Sequence, residues 1–516
     1  MTGFESLLVV LLVAVVLAAA ARRLGAPYPA FLALGGAVLA FLPGAPAFSI
    51  DPAVALALFV APVLLDAAYD SSPRDLKELW VPVASLAVVS VALTTAAVAV
   101  VTRAVVPEMS WGAAVALGAI VSPPDAAAAM AVLKQLRPPH RILTILSGES
   151  LLNDASALLI YRLAVGAVAM KSLSVGSLAP TLLLVLVGSV VAGVVLARPV
   201  LWLTSGVRDV PTAIIIQFIF TFGVWILADR LGLSSVLTMF FFAVTIARSA
   251  PARTPARLRL PSYAVWETVV FLLNVLAFVF IGLQIRPVLA GLDPDVRVRY
   301  LRVAGLVLVT VIVVRILWVL FHTSLVLWKN RRFGFRPPRP GIQPPTLAGG
   351  LVVSWAGMRG IITLAAALAL PAEFPYRGLI ELTAFAVVFG TLVVQGLTLR
   401  PLIRVLRLED DDPVGREADA AREKALEAAL ATIDGDSSPA AQAVRQEFTA
   451  HLSHGEAGAE GAETAGSTHE EIHRRALDAA RRVILDMRAR DDIGDDAFHR
   501  LEEELDWVEM GMGSAH

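Results

Sequence analysis

The chain has 516 residues, of which 57% are hydrophobic and only 17% are charged, and its mean hydropathy is +0.72. Soluble proteins carry about 25% charged residues, so this composition excludes a chain built mainly of soluble domains. The sequence has no cysteine, which excludes disulfides, thiolate metal sites and cysteine nucleophiles. Apolar runs of about 20 residues recur, and a helix of that length crosses the hydrocarbon core of a bilayer.

The net charge of −1 conceals two parts of opposite charge. Residues 1–408 carry 32 Lys and Arg against 17 Asp and Glu, a net charge of +15, whereas residues 409–516 carry 11 against 27, a net charge of −16. We therefore predict a membrane domain at 1–408 and an acidic cytoplasmic C-terminal tail at 409–516. The N-terminus has no basic stretch before its first apolar run, so we expect a retained helix rather than a cleaved signal peptide.

Thirteen apolar segments are predicted to be transmembrane helices in an all-α polytopic membrane protein. They lie at 5–21, 28–43, 51–70, 79–103, 111–134, 141–168, 176–198, 211–230, 233–248, 263–286, 300–328, 346–370 and 378–406. Thirteen segments suggest two inverted six-helix repeats with a linking helix, a plan that places ion sites on interrupted helices. With the N-terminus outside, the cytoplasmic loops hold about twice as many Lys and Arg as the opposite loops, as the positive-inside rule requires.

Two of these segments carry signals of interruption. The fifth contains Ser122-Pro123-Pro124-Asp125, where two prolines remove backbone donors and an acid follows at once. The twelfth contains Gly357-Met358-Arg359-Gly360 and, counted from the eighth segment, is the fifth of the second half. This correspondence predicts broken fifth and twelfth helices, although prolines also kink ordinary transmembrane helices.

Few ionisable residues lie inside the segments, and each is a functional candidate because charge is costly at membrane depth. They are Asp66, Asp125, Glu149, Asp154, Arg315 and Arg359, with Glu267 near the start of its segment, where an interfacial role is expected. The acids outnumber the arginines. A buried carboxylate without a partner takes up a proton, and where a cation can reach it the proton can be exchanged. Oxygen ligands without His or Cys favour Na⁺ or a similar ion over a transition metal.

The motif Gly148-Glu149-Ser150-Leu151-Leu152-Asn153-Asp154 arranges its polar residues in two stripes. Glu149 and Asn153 share one helical face, and Ser150 and Asp154 share an adjacent face. One stripe can offer hydroxyl and carboxylate oxygens to an ion, and the other can hold a structural ion pair. We expect Glu149 to be paired and not transporting. Asp66 is either a ligand or a charge at the cytoplasmic end of its helix.

Four stretches resemble the bacterial NhaP-like branch of the sodium/proton antiporter family, in the family's order and over about residues 5–408. They are GAIVSPPDAAAAMAVLKQL, GESLLNDASALLIYR, WETVVFLLNVLAFVFIGLQ and WAGMRGIITLAAALALP. The resemblance implies thirteen helices, a dimerisation domain and a core domain that moves like an elevator. It implies a homodimer in the cell membrane that exchanges Na⁺ or Li⁺ for H⁺ electroneutrally, with a role in pH homeostasis and no cofactor besides the transported ions. Neither an enzymatic activity nor a nucleic-acid partner is expected.

The resemblance also implies roles for individual residues. Asp154 would bind cation or proton, Asp125 would be the second acid, and Ser150 would lend its hydroxyl, so that Na⁺ lies among these three. The main-chain carbonyl of Pro124 would face the ion, and Asn153 would help to hold the site. Arg315 would pair with Glu149, and Arg359 would offset helix-end dipoles and nearby acids.

Two departures from the family's pattern concern ion selectivity. The family usually has Thr-Asp-Pro where this chain has Pro124-Asp125-Ala126, so a hydroxyl is lost. It usually has Glu where Asp66 stands, and we expect the shorter side chain to need a water to reach Asn153. A K⁺/H⁺ antiporter therefore stays an alternative, as does, more remotely, a cation channel. No protease motif or metal cluster supports an intramembrane enzyme.

The tail is predicted to form charged amphipathic helices at 416–432 and 470–510, joined by a Gly/Ala/Glu-rich linker near 455–468. It would either self-associate or dock on the basic cytoplasmic loops, whose charge is opposite. Its partner is not predicted, and no role is assigned to the loop at 329–345. His451 and His454 are interpreted as a coincidental spacing rather than a metal site.

Overall fold

The structure is a computed structural model, and it describes residues 3–24, 27–42, 51–69, 72–136, 138–170, 175–204, 206–207, 209–249, 254–290, 292, 294–334, 344–408, 412–439, 441–446 and 466–513. All secondary structure in these ranges is helical. The helices before the tail are α1 (Gly3–Leu24), α2 (Tyr28–Ala40), α3 (Pro52–Tyr69), α4 (Pro73–Glu78), α5 (Trp80–Ala84), the π-helical turn π1 (Ser85–Ser90), α6 (Val91–Val105), α7 (Trp111–Val121), α8 (Ala126–Leu136), α9 (His140–Met170), α10 (Val175–Thr204), α11 (Val210–Arg230), α12 (Ser235–Ser249), α13 (Ala256–Leu283), α14 (Ile285–Ala290), α15 (Pro294–Phe333), α16 (Leu347–Trp355), α17 (Ile361–Leu368) and α18 (Arg377–Leu406).

The predicted apolar segments coincide with these helices. Among the described residues, nine helical stretches are long and apolar enough to cross a membrane, and α2 and α12 are shorter apolar helices. The all-α membrane fold is thereby confirmed. The total of thirteen crossings and the inverted repeat stay predictions.

Three predicted segments had wrong boundaries. The seventh was placed at 176–198, but α10 runs to Thr204. In the other two, charged residues extend the helix beyond its apolar part. The tenth segment was placed at 263–286, but α13 begins at Ala256 after an extended Pro255. The eleventh was placed at 300–328, but α15 runs from Pro294 to Phe333. Hydropathy detects only the apolar part of a helix. Consequently Glu267 lies in the middle of α13 rather than near its start.

Close helix packing in the membrane domain depends on small residues. A Cβ at Gly36 of α2 would overlap the main-chain carbonyl of Val279 in α13, and a Cβ at Gly282 of α13 would overlap that of Ala33. The two backbones therefore touch, as is common where transmembrane helices associate. Large apolar side chains such as Leu184, Trp202 and Val405 point outward and are more than two-thirds exposed, which suits a lipid environment.

The tail forms its own helical unit from α19 (Pro413–Ala431), α20 (described over 441–446), α21 (Gly466–Ala489) and α22 (Asp495–Gly513). Its apolar core is separate from those of the membrane domain and includes Ala421, Ile484 and Leu501. The single helix predicted at 470–510 was wrong, because Asp491 adopts a left-handed conformation and ends α21. Of the linker predicted near 455–468, residues 455–465 lie outside the described residues, as do His451 and His454, whereas residues 466–468 were wrongly assigned to it because they begin α21.

The tail packs on the membrane domain through ion pairs that bridge opposite charges. Arg74 of α4 donates to Glu417 of α19 at 2.5 Å and to the main-chain carbonyl of Asp491 at 3.0 Å. Arg259 of α13 is 4% exposed and pairs with Glu502 at 3.0 Å and with Asp506 of α22. Both arginines belong to the part of the chain that the charge distribution assigned to the cytoplasmic side. The tail therefore docks on the basic part of the chain, as the opposite charges favoured. Self-association of the tail stays a prediction.

Candidate functional site

Two broken helices meet in the centre of the membrane domain. The first break separates α7 from α8 at Ser122-Pro123-Pro124-Asp125, and the second separates α16 from α17 at residues 356–360. The main-chain N–H of Asp125 donates to the main-chain carbonyl of Met358 at 2.6 Å. This hydrogen bond joins the two breaks directly, in place of the helical bonds that each lacks.

The Asp125 carboxylate is fixed between the two breaks. Its Oδ1 accepts a hydrogen bond from the main-chain N–H of Ala127 at 2.9 Å and so caps the first turn of α8. Its Oδ2 lies against Gly360, where an added Cβ would overlap it. The absence of a side chain at Gly360 therefore makes the space that the carboxylate occupies.

Helix α9 holds the first break from the other side. The Asn153 amide donates to the main-chain carbonyl of Pro124 at 2.9 Å, and the Ser150 hydroxyl accepts a long hydrogen bond of 3.4 Å from the N–H of Ala126. Asn153 is fully buried, and its Oδ1 accepts no hydrogen bond from the part of the chain that the structure describes. Asp154 follows in the chain and is 6% exposed. The Asn-Asp pair thus combines a residue that positions the break with a buried carboxylate.

Arg359 binds the carboxyl end of α7. Its side chain is 1% exposed, and it donates to the main-chain carbonyls of Val121 at 3.1 Å and Ser122 at 3.3 Å, as well as to that of Gly357. The last carbonyls of a helix have no intrahelical partner and carry the negative end of the helix dipole. A buried guanidinium at this position satisfies them.

Arg315 performs the same task for α16 and also holds a buried acid. It donates to the main-chain carbonyls of Val353 at 3.1 Å and Ser354 at 3.2 Å. The same guanidinium binds both oxygens of Glu149, at 2.5 and 2.8 Å. Glu149 and Arg315 are each 1% exposed, so this bidentate pair is closed to solvent.

Three residues complete this frame: sequence reasoning placed Gly357 and Gly360 in the second break without assigning them a role, and it missed Thr391. Gly357 lacks a side chain where the Arg315 guanidinium passes, and an added Cβ would overlap it. Gly360 does the same for Asp125. The Thr391 hydroxyl of α18 accepts from the main-chain N–H of Arg359 at 3.0 Å. The Gly-x-x-Gly spacing marked the two glycines as part of a break but not the side chains that they make room for, and no sequence signal marks Thr391.

A cavity of about 1230 Å³ reaches the buried acids. Among the predicted site residues, those that line it are Asp66, Pro124, Asp125, Ser150 and Asp154. Glu149, Asn153, Arg315 and Arg359 do not line it and pack in the frame behind. The structure therefore divides the predicted set into residues that an ion in the cavity can reach and residues that hold the breaks. Glu267 also lines the cavity, as an exposed side chain.

Comparison with known proteins agrees with this architecture. The family model described as sodium/hydrogen exchanger, transmembrane, matches residues 8–405. An uncharacterised Na⁺/H⁺ exchanger of Mycobacterium tuberculosis is 33% identical over 423 residues, which cover 78% of this chain and 74% of the relative. A sodium, potassium, lithium and rubidium/H⁺ antiporter of Bacillus subtilis is 27% identical over 505 residues, which cover 94% of this chain and 74% of that relative.

The solved structures show the same fold. The sodium/proton antiporter MjNhaP1 from Methanocaldococcus jannaschii at pH 8 matches with a TM-score of 0.59, over 79% of this chain and 99% of that chain, at 17% sequence identity. The family model covers more than half of the sequence, from the first apolar helix to the last. The resemblance read from the four motifs is confirmed, and the chain belongs to the sodium/hydrogen exchanger family.

Proposed function

We propose that the protein exchanges Na⁺, or a similar monovalent cation, for H⁺ across the cell membrane, with Asp154 and Asp125 as the groups that bind the ions. One observation carries this proposal: the carboxylates of Asp125, between two broken helices, and of Asp154, on the helix packed beside them, line the same cavity in an apolar domain. Acids at such depth are costly unless their charge is used or neutralised. The names of the relatives, which are transporters, support exchange over an enzymatic activity or a channel.

Competition for Asp154 is the proposed chemistry. A cation that enters the cavity displaces the proton from the Asp154 carboxylate, with oxygens of Asp125, Ser150 and Pro124 within reach of the same space. Hard oxygen ligands of this kind suit Na⁺ and Li⁺. The neutralised site can then cross an apolar barrier, whereas the empty, charged carboxylate cannot without a large desolvation penalty. That penalty couples the two fluxes.

The finer features of transport follow the same proposal. The frame of Glu149, Arg315 and Arg359 ties the two breaks to their neighbouring helices, which is what a core domain moving as one body against a dimerisation domain would need. We propose electroneutral one-for-one exchange by such an elevator-like step in a homodimer. We also propose that the N-terminus faces outside and that the tail lies in the cytoplasm, in agreement with the distribution of arginines.

Cation-driven proton flux in proteoliposomes tests the proposal. Asp154→Asn should reduce Na⁺-dependent dequenching of a pH-sensitive dye to the level of protein-free liposomes, because the group that exchanges the proton is gone. Asp125→Asn removes one charged ligand, a loss of about 1.5–3 kcal/mol, and should weaken the apparent Na⁺ affinity by about ten- to a hundredfold. Glu267→Gln is the matched control, because it removes another acid that lines the cavity and should leave exchange intact. Exchange by Asp154→Asn would overturn the assignment.

A K⁺/H⁺ exchange activity is the second candidate. The Bacillus subtilis relative, which aligns over 94% of this chain, is named for sodium, potassium, lithium and rubidium. The proline at 124 and the aspartate at 66 also depart from the usual pattern of the sodium/proton antiporters. The same flux assay with Na⁺, Li⁺, K⁺ and Rb⁺ in parallel decides between the two, since a Na⁺/H⁺ exchanger responds to Na⁺ and Li⁺ alone, whereas an exchanger that carries K⁺ also responds to K⁺.

A further inference from the structure

A second cavity, separate from the one that reaches Asp154, lies between the ends of several helices of the membrane domain. Its volume is about 310 Å³, and it is bounded by the beginnings of α9 and α16, the last part of α15, the end of α18 and the region of α5 and π1. We propose that this cavity binds the phosphate head group of an anionic phospholipid. The inference goes beyond cation exchange and does not depend on it.

The lining of this cavity is basic. Arg141 of α9, His322 of α15 and Arg407, which follows α18, all line it, and no Asp or Glu is among the described residues that do. Within the described ranges, neither guanidinium forms an ion pair or a hydrogen bond. Arg141 is partly buried and Arg407 is exposed. Guanidinium groups bind phosphate oxygens through paired, charge-assisted hydrogen bonds, so two uncompensated arginines on one cavity favour a phosphate ligand.

The beginning of α16 adds to the positive potential of the cavity. Thr346 caps this helix by accepting a hydrogen bond from the main-chain N–H of Gly349 at 3.0 Å, and both residues line the cavity. The amino end of a helix carries the positive end of its dipole and attracts anions. A Cβ at Gly349 would lie 3.2 Å from the Thr346 hydroxyl and 3.6 Å from Ile142 of α9. The absence of a side chain therefore keeps the space between α9 and α16 open beside the arginines.

The rest of the wall indicates a lipid rather than a dissolved anion. It is apolar and includes Leu86, Ile145, Val319 and Val326. Two tryptophans flank the cavity on the outer surface: Trp80, two residues before the lining Pro82, is 64% exposed, and Trp328, two residues after Val326, is 62% exposed. Exposed tryptophans of transmembrane helices lie at the level of the lipid head groups. The cavity therefore lies at the depth of the phosphates, and basic pockets between helices at this depth suit anionic head groups.

The cavity lies on the side of the membrane domain where the tail docks. His140, which precedes Arg141, has its Nε2 3.8 Å from Asp496 of the tail helix α22. On the other side of the cavity, Arg407 and Leu408 are the last described residues before the tail. A lipid held here would contact the membrane domain close to the point where the tail begins.

The position of the cavity gives the lipid a structural consequence. Val353 lines the cavity, and its main-chain carbonyl accepts from Arg315 at 3.1 Å. His322 lies two helical turns after Arg315 on α15. A phosphate held by Arg141 and Arg407 would join α9 to α18 beside the buried pair of Arg315 and Glu149. Occupancy by the lipid should therefore raise the stability of the frame that holds the two broken helices.

Lipid binding by the full-length chain tests the proposal. The protein is delipidated in detergent and titrated with phosphatidylglycerol or phosphatidylcholine, and native mass spectrometry counts the bound lipids. The wild type should retain one phosphatidylglycerol per chain in preference to phosphatidylcholine. Arg141→Gln and Arg407→Gln should each weaken that binding at least about tenfold, because each removes a charge-assisted contact. Arg404→Gln is the matched control, since Arg404 is exposed, lies one turn before Arg407 and does not line the cavity.

Thermal unfolding gives a second reading and separates a lipid from a free anion. Phosphatidylglycerol should raise the melting temperature of the wild type and of Arg404→Gln, and should raise it clearly less in Arg141→Gln and Arg407→Gln. Arg407 is exposed, so its variant keeps the test meaningful if Arg141→Gln is poorly folded. Equal retention of phosphatidylglycerol by all four proteins, or equal retention of phosphatidylcholine by the wild type, would overturn the proposal. Inorganic phosphate that displaces phosphatidylglycerol and stabilises the wild type equally would assign the cavity to a dissolved anion and would also overturn it.

Discussion

Two glycines decide whether charged side chains fit at the second break. Gly360 makes room for the Asp125 carboxylate, and Gly357 makes room for the Arg315 guanidinium. The motif Gly357-Met358-Arg359-Gly360 was recognised in the sequence as a helix interruption with a basic residue. Its glycines also make room for side chains far away in the sequence: Arg315 lies more than 40 positions from Gly357, and Asp125 lies more than 200 positions from Gly360. A pattern within one segment cannot reveal that, because the contacts come from other helices.

Gly360→Ala tests this close approach. The added methyl group would overlap Asp125 Oδ2, so the carboxylate must move away from the position that faces the cavity. We expect Na⁺-driven proton flux to be lost or strongly reduced while the protein still elutes as a folded species. Gly166→Ala in α9 is the matched control, because no atom lies within 4 Å of its added Cβ. Full exchange by Gly360→Ala would show that the position of Asp125 is not critical.

Sequence motifs predicted most of the individual residues but few of their contacts. Asn153 and Asp154 stood out because polar residues inside an apolar segment are rare. The hydrogen bond from Asn153 to the Pro124 carbonyl, 29 positions away, comes from tertiary packing. Thr391 had no signal at all, since a threonine in a transmembrane helix usually bonds its own backbone. It does so here, through the carbonyl of Val387, and also accepts from Arg359.

At the scale of helices, each half-helix that ends inside the membrane domain has an arginine at its carboxyl end. Arg359 serves α7 and Arg315 serves α16. The prolines of the first break predicted an interruption, because they cannot donate. The second break contains no proline. The hydrogen bond between the main chains of Asp125 and Met358 joins it to the first break. Helix positions were therefore predictable from hydropathy, while the joining of the two breaks was not.

Arg315→Ala tests the frame behind the cavity. The variant leaves Glu149 buried without its partner and the last carbonyls of α16 without a donor. Breaking a buried pair by removing one partner costs about 3–5 kcal/mol, so thermal unfolding in detergent should occur at a clearly lower temperature. The double variant Glu149→Leu with Arg315→Met should recover part of the loss, because no uncompensated charge remains. Arg302→Ala, an exposed position of the same helix, is the control. An unchanged melting temperature for Arg315→Ala would contradict a structural role for the pair.

At the scale of the whole molecule, the charge distribution predicted the partner of the tail but not the contacts. Residues 409–516 are acidic and the membrane domain is basic, which made docking plausible from the sequence alone. The tail contacts these particular arginines because its helices are interrupted at Asp491. That break lets α22 turn back toward α13, and at Gly494 an added Cβ would lie only 2.6 Å from Arg74. A net charge cannot encode this geometry.

Arg259→Gln should release the tail. Arg259 is buried between Glu502 and Asp506, so the variant leaves two acids at the interface without their strongest counter-charge. Limited proteolysis should cut α22 faster than in the wild type. Arg257→Gln, an exposed position two residues earlier in α13, is the control. Equal proteolysis of Arg259→Gln and the wild type would show that the tail docks by other contacts.

The same variant should change how docking depends on pH. The pKa of Asp506 is raised above the usual value of a carboxyl group, mainly because the group is buried. The hydrogen bond and charge of Arg259 and the charge of Arg481 oppose this shift, whereas the charge of Glu502 adds to it. A carboxyl whose pKa is higher in the docked tail than in the released tail favours docking when protonated. The contribution of Asp506 to docking is therefore present at low pH and is lost as the pH rises through the docked pKa. Without Arg259 the pKa of Asp506 should rise further. On acidification, proteolysis of Arg259→Gln should therefore begin to slow at a higher pH than proteolysis of the wild type. Two parallel pH profiles would contradict this expectation.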